Sequence, residues 1–143
     1  MQGGKFSLFP GSAAGGKFMV KTMLSILITL GLLIGAAFFE QYFVDRQFDK
    51  FETALHSLDE KVRDETAVRG DAESVRTLWE SEKKVLHVVI PHTDISYVDY
   101  WLSEAVSLIE TENYTDAQSK IEVLLVLCRQ IPQTYRITFE NVF

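Results

Sequence analysis

Reactive side chains are scarce in this sequence. Cys128 is its one cysteine, so no intramolecular disulfide forms, and His56, His87 and His92 are its only histidines. There is no nucleophile elbow, no phosphate-cradling glycine loop and no Ser/His/Asp arrangement beyond what composition supplies. Positive charge is also short. Residues 40–143 hold 11 basic and 20 acidic side chains, a net of −9. That balance argues against nucleic acid and against acidic helices lying on anionic lipid. Most telling is residues 22–39, which contain no charge in 18 positions and are bracketed by Lys21 and Glu40.

In a helix, 18 residues rise roughly 27 Å, close to the hydrocarbon thickness of a bilayer. Thr22, Ser25 and Thr29 are the only polar side chains in the run, and each can bond its own helix backbone, so a soluble core helix with a polar stripe is a poor match. Residues 1–39 carry Lys5, Lys17 and Lys21 and no acid, a net of +3. The positive-inside rule then puts the N-terminus in the cytoplasm and the bulk of the chain outside it. A cleaved signal peptide competes, with Gly35 and Ala37 at the small positions before a cut. The anchor is preferred because the apolar run continues through Phe38 and Phe39. Within it, Gly31 and Gly35 form a small-xxx-small pattern on one helical face, which admits a homodimer through close backbone approach in lipid.

Residues 1–18 are rich in glycine and lack periodicity, so they are expected to be unstructured. Gly15 and Gly16 can encode a purine-rich ribosome-binding core just upstream of Met19, which makes Met19 the expected start in the cell.

The rest reads as helices. Val44, Phe48, Phe51, Leu55, Leu58 and Val62 recur in steps of four and three and share one stripe, with Asp45, Arg46, Asp49, Lys50, Asp59 and Arg63 opposite. No breaker separates this stripe from the apolar run, so one helix is expected from the membrane to about Arg69. Gly70 and Asp71 read as a cap and a restart. Val75, Leu78, Trp79, Val85, Leu86 and Val89 are expected inward on the second helix. Ile95, Val98, Leu102, Ala105 and Leu108 or Ile109 are expected inward on the third, which Thr93 or Asp94 caps. Thr115 to Gln118 reads as a capping box opening a fourth helix, with Ala117, Ile121, Leu124, Cys128 and Ile131 inward. Pro132 is expected to start a short last segment carrying Tyr135, Phe139 and Val142. The expected fold is all-α: a single N-terminal transmembrane helix (residues 19–43) continuing into a small antiparallel four-helix bundle of two hairpins (residues 44–143), outside the cytoplasm. A tetratricopeptide-like stack falls short of three repeats, and a coiled-coil seam would be under three heptads.

Two constellations stand out. His87, His92, Asp94 and Asp99 gather around Pro91, where a divalent ion would find three ligands. The simpler account makes Asp94 a cap and Asp99 a solvated side chain, since no helical His pair supports a metal; no cofactor is expected. Tyr97, Tyr100 and Trp101 cannot all share the inward face set by Ile95, Val98 and Leu102, so some aromatic surface is left for a partner. Cys128 is expected in the core, with an interchain disulfide as the other reading.

Leu78-Trp79 with Lys83-Lys84, then His92 to Ile95, Leu102 to Glu104, Asp116-Ala117, Leu125 through Ile131-Pro132 and the closing Glu140 to Phe143 follow one another in an order that resembles a bacterial family, domain of unknown function 4363. The resemblance covers most of residues 19–143 and implies a membrane-anchored helical protein of a Gram-positive lineage, with no activity attached. Ser96 stands where the family is expected to carry an acid, which weakens a metal site at His92. The expected function is a non-enzymatic accessory protein that binds the lipid bilayer and another membrane or envelope protein. The alternatives are a small-ligand or metal sensor, and a secreted helical protein.

Overall fold

The computed structural model describes the backbone of residues 13–135 and the side chains of residues 19–135. Four helices follow in order: α1 (Ala13–Arg63), α2 (Arg69–Leu86), α3 (His92–Glu110) and α4 (Tyr114–Thr134). No strand occurs among the described residues. The chain divides into two compact units, Met1–Phe38 and Phe39–Phe143, and α1 contributes to both. In the first, the described residues are helix whose apolar side chains are exposed. The second is the helical bundle.

The bundle closes on the stripe expected of α1: Val44, Phe48, Phe51, Leu55, Leu58 and Val62 are all buried. Trp79 of α2, fully buried, sets its ring against Phe51 at 4.8 Å and Phe48 at 6.2 Å. Ile95, Val98, Leu102, Ala105 and Ile109 of α3 complete the core with Ala117, Ile121, Leu124, Cys128 and Ile131 of α4. Leu108 is only partly buried. Polar contacts fix the register. Lys50 meets Glu82 and Lys61 meets Asp71, so α1 and α2 run antiparallel. Lys83 meets Asp99 and Arg69 meets Glu110, which does the same for α2 and α3. Arg129 reaches Glu52 at 3.6 Å and the Tyr114 hydroxyl donates to the Ala67 carbonyl at 3.1 Å, placing α4 antiparallel along α1.

Several helix boundaries differ from the sequence reading. α1 is helical from Ala13, ahead of the expected start at residue 19, and it stops at Arg63, six residues before Arg69. The stop is made by Glu65, whose φ of 56° is left-handed. Its N–H bonds the Val62 carbonyl at 3.0 Å, and the Thr66 N–H bonds the Lys61 carbonyl at 2.8 Å, the paired bonds of a Schellman end. Gly70 therefore caps nothing and lies inside α2. Asp71 is the third residue of α2; its carboxylate accepts the Val68 N–H at 3.0 Å and is held by Lys61. The Lys61 bond and then the Val68 N–H hold the Asp71 carboxyl below the ordinary carboxylate range. The same end recurs after α3, where Glu112 has φ 55°. The following cap is Asn113, two residues before the expected Thr115, with its side-chain oxygen accepting the Asp116 N–H.

Glutamate in the left-handed region bears a strain that glycine lacks, roughly 1–2 kcal/mol before glycine's larger unfolded-state entropy is subtracted. Glu65→Gly and Glu112→Gly should each raise stability by about 0.5–1 kcal/mol, read as an increase in the midpoint of chemical denaturation.

Other placements also change. On α2 the buried stripe is Ala72, Val75, Trp79, Glu82 and Leu86, so Leu78 is half-buried, Val85 is 45% exposed, and Val89 lies half-buried beyond the end of the helix. Asp59, expected on the solvated face of α1, is buried at 4% exposure; it lies two turns after Glu52, which meets Arg129 of α4. It keeps the expected pair, accepting from Arg63 at 2.6 Å, while its other oxygen has no partner. Pro132 does not restart the chain; it sits in the last turn of α4, where the one lost N–H bond is tolerated. Tyr135 closes α4, and Phe139 and Val142 lie outside the described residues.

Candidate functional site

The four residues gathered by sequence around Pro91 are separated by their contacts. Asp94 accepts a short hydrogen bond from the Tyr135 hydroxyl of α4. Asp99 accepts from the Trp79 indole nitrogen at 2.6 Å and from Lys83 at 3.2 Å. The imidazoles of His87 and His92 stack on each other across the turn, 5.5 Å apart and 20° from parallel. Asp94 is thus a tie between α3 and α4 and not a helix cap, and α3 follows Pro91 with no side-chain cap. Among the described residues, no group of three or more His, Cys, Asp or Glu side chains converges as metal ligands do. The carboxylates needed for a three-ligand site at His92 are already engaged in joining helices.

These ties perturb two titrations. Burial lowers the Lys83 ammonium, but the carboxylates of Glu80 and Asp99 outweigh it and leave the group raised. Burial, aided by the Asp94 carboxylate, pushes the Tyr135 phenol up to about 12. A phenol raised above its unfolded value of about 10 favours the folded state fully below that pH, and the contribution fades as pH rises to about 12. Wild type should therefore lose more thermal stability between about pH 10 and 12 than Tyr135→Phe does. Equal losses in a pH series of melts would refute this role for Tyr135.

The aromatic set on α3 divides. Tyr97 and Tyr100 are 56% and 57% exposed. Trp101 is half-buried against the core; Tyr100 meets its ring edge-on at 5.1 Å and the Lys120 ammonium lies 4.9 Å from its centroid. This face of α3 therefore presents two tyrosines beside an indole held by a cation. Cys128 is buried and burial drives its thiol far up, so it is a core residue with little thiolate. At Gly31 and Gly35 an added Cβ would meet nothing within 4 Å, which leaves that face of α1 open.

Sequence reasoning placed the turn between α2 and α3 at Pro91 but missed the exposed apolar side chain within it. Val88, at 84% exposure, is the most exposed of the large apolar side chains among the described residues of the bundle. The local signal was present in Val88, Val89 and Ile90, an apolar turn where polar residues are usual.

From Met19, α1 is long and apolar enough to cross a membrane, and none of its most apolar 18-residue window is buried. The sequence matches the family described as Domain of unknown function (DUF4363) over residues 38–142. The chain belongs to this family. The DUF4363 match coincides with the bundle and begins where the apolar run ends. No curated protein and no solved structure matches the chain.

Proposed function

We propose that this DUF4363 protein is a single-pass membrane protein, with its N-terminus in the cytoplasm, whose extracytoplasmic bundle is a non-enzymatic accessory domain for another membrane or envelope protein. The observation that carries the reading is the exposed pair Tyr97 and Tyr100 beside Trp101 on a bundle whose core is otherwise closed. Tyrosine and tryptophan supply large contact area at low entropy cost, and a lysine over the indole holds one of them in place. The anchor is supported by the fully exposed apolar window and by the +3 charge before it. Retention is favoured over cleavage because α1 runs helical through Gly35, Ala36 and Ala37, where a peptidase needs extended backbone.

A photo-crosslinking amino acid at Tyr97 or Tyr100 in native membranes tests the reading. One protein should be captured repeatedly from both positions and lost when the other tyrosine is changed to serine. No repeatable adduct from either position would sink it. A carbonate wash tests the anchor: recovery of the full chain in the membrane pellet supports it, and a soluble chain beginning near Phe38 overturns it.

A further inference from the structure

The two ends of the bundle differ in chemistry. At the end remote from the apolar run, the turns hold Asp64, Glu65 and Thr66 between α1 and α2, and Thr111, Glu112 and Asn113 between α3 and α4. Glu110 and Asp116 flank the second turn, and this end exposes one large apolar side chain, Val68. At the other end, the turn between α2 and α3 is His87, Val88, Val89, Ile90 and Pro91, with no acid. Val88 is 84% exposed and Val85, one turn earlier, 45%. The antiparallel pairing of Lys50 with Glu82 brings this turn to the level of α1 just after the apolar run, where Phe39 and Tyr42 are 70% and 62% exposed. Lys84 and Arg46 are exposed here beside the acids Glu40 and Asp45 of α1, and the nearby Asp94 is engaged by Tyr135.

We infer that this end of the bundle, with the Val88 turn at its tip, is a lipid contact that rests in the interfacial region of an anionic membrane. The inference rests on the membrane reading of α1 and deepens it by naming a second part of the chain that touches lipid. Chain continuity is the first support. Phe39 ends the apolar run, so this end stays within one or two helical turns of the bilayer at any angle of α1. Charge is the second. The cations Lys84 and Arg46 match the acids Glu40 and Asp45 in number here, so anionic headgroups repel this end less than the far end, whose turns are acidic. Contact is end-on, which reconciles it with a domain too acidic to lie flat.

Spin-label accessibility in vesicles of phosphatidylglycerol and phosphatidylethanolamine, holding the purified full chain and no other protein, tests the inference. Nitroxides are placed by Val88→Cys, Val68→Cys and Leu32→Cys in a Cys128→Ala background; Cys128→Ser serves if that background loses helicity. All three positions are exposed, so the fold tolerates the label. The ratio of oxygen to nickel-chelate collisions should be several-fold higher at residue 88 than at residue 68, approaching that at residue 32. A label at 88 as nickel-accessible as one at 68, with 32 still lipid-like, overturns the inference and leaves the anchor standing. A label at 88 shielded from both reagents points to cover by a second copy and also overturns it. If residue 32 is nickel-accessible, the anchor reading itself fails, and this inference with it.

Discussion

Trp79→Ala is expected to lower the stability of the bundle by about 3–5 kcal/mol. The indole is fully buried, packs against Phe48 and Phe51 of α1, and donates to Asp99 of α3, so one side chain joins three helices. Truncation opens a cavity among rings that cannot collapse into it, and it leaves Asp99 with Lys83 as its remaining partner. For a domain of this size the total is on the order of 5–15 kcal/mol, so a substantial unfolded fraction should appear without denaturant. Trp79→Phe separates the two contributions: it keeps most ring packing and loses the indole hydrogen bond, at a cost of about 1–2 kcal/mol. Hydrogen exchange of α2 and α3 amides in detergent-solubilised full chain checks both. Wild-type protection in Trp79→Ala would contradict the central place given to this residue.

Leu30→Arg should abolish stable membrane insertion. The run of residues 22–39 holds ten Leu, Ile and Phe residues, each contributing roughly −0.3 to −0.6 kcal/mol to insertion at the helix centre. Arginine at that depth costs about 2.5–3.5 kcal/mol, which offsets most of their sum once the glycines, serine and threonines are included. A soluble or degraded product after membrane fractionation is expected, with Leu30→Ile as the neutral control. Retention of Leu30→Arg at the wild-type level would remove the support for a span. Leu30 is half-exposed and is not part of the bundle core, so the variant tests insertion and not folding of the bundle.

Much of the fold was legible in the sequence because helical period is a local property. The alternation of four and three from Val44 to Val62 marked the buried stripe of α1, and all six residues are buried. The ends of helices were less legible. Gly70 and Asp71 carried the residue types of a cap and a restart, yet Glu65 takes the left-handed position, because Ala67 and Val62 must both reach the core. Glutamate at such a position gives no signal in composition. Spacing brings His92, Asp94 and Asp99 near one turn, and a metal there is the less favoured reading beside Asp94 as a cap. Spacing carries no information about Tyr135, which lies on another helix and engages Asp94.

By itself, then, the sequence determined that the chain is helical, that residues 22–39 can cross a membrane, and which stripe of each helix is apolar. Each of these follows from a run or a period within one segment. The tertiary structure decided which flank of each stripe is covered and which end of the bundle is apolar. Asp59 is buried although its type suits a solvated face, and Val85 is exposed although it adjoins buried Leu86. Val88 became notable only when the pairing of α1 with α2 set its turn at the level where the apolar run ends. A segment's own pattern gives the direction of its apolar face, and its neighbours set how far that face extends.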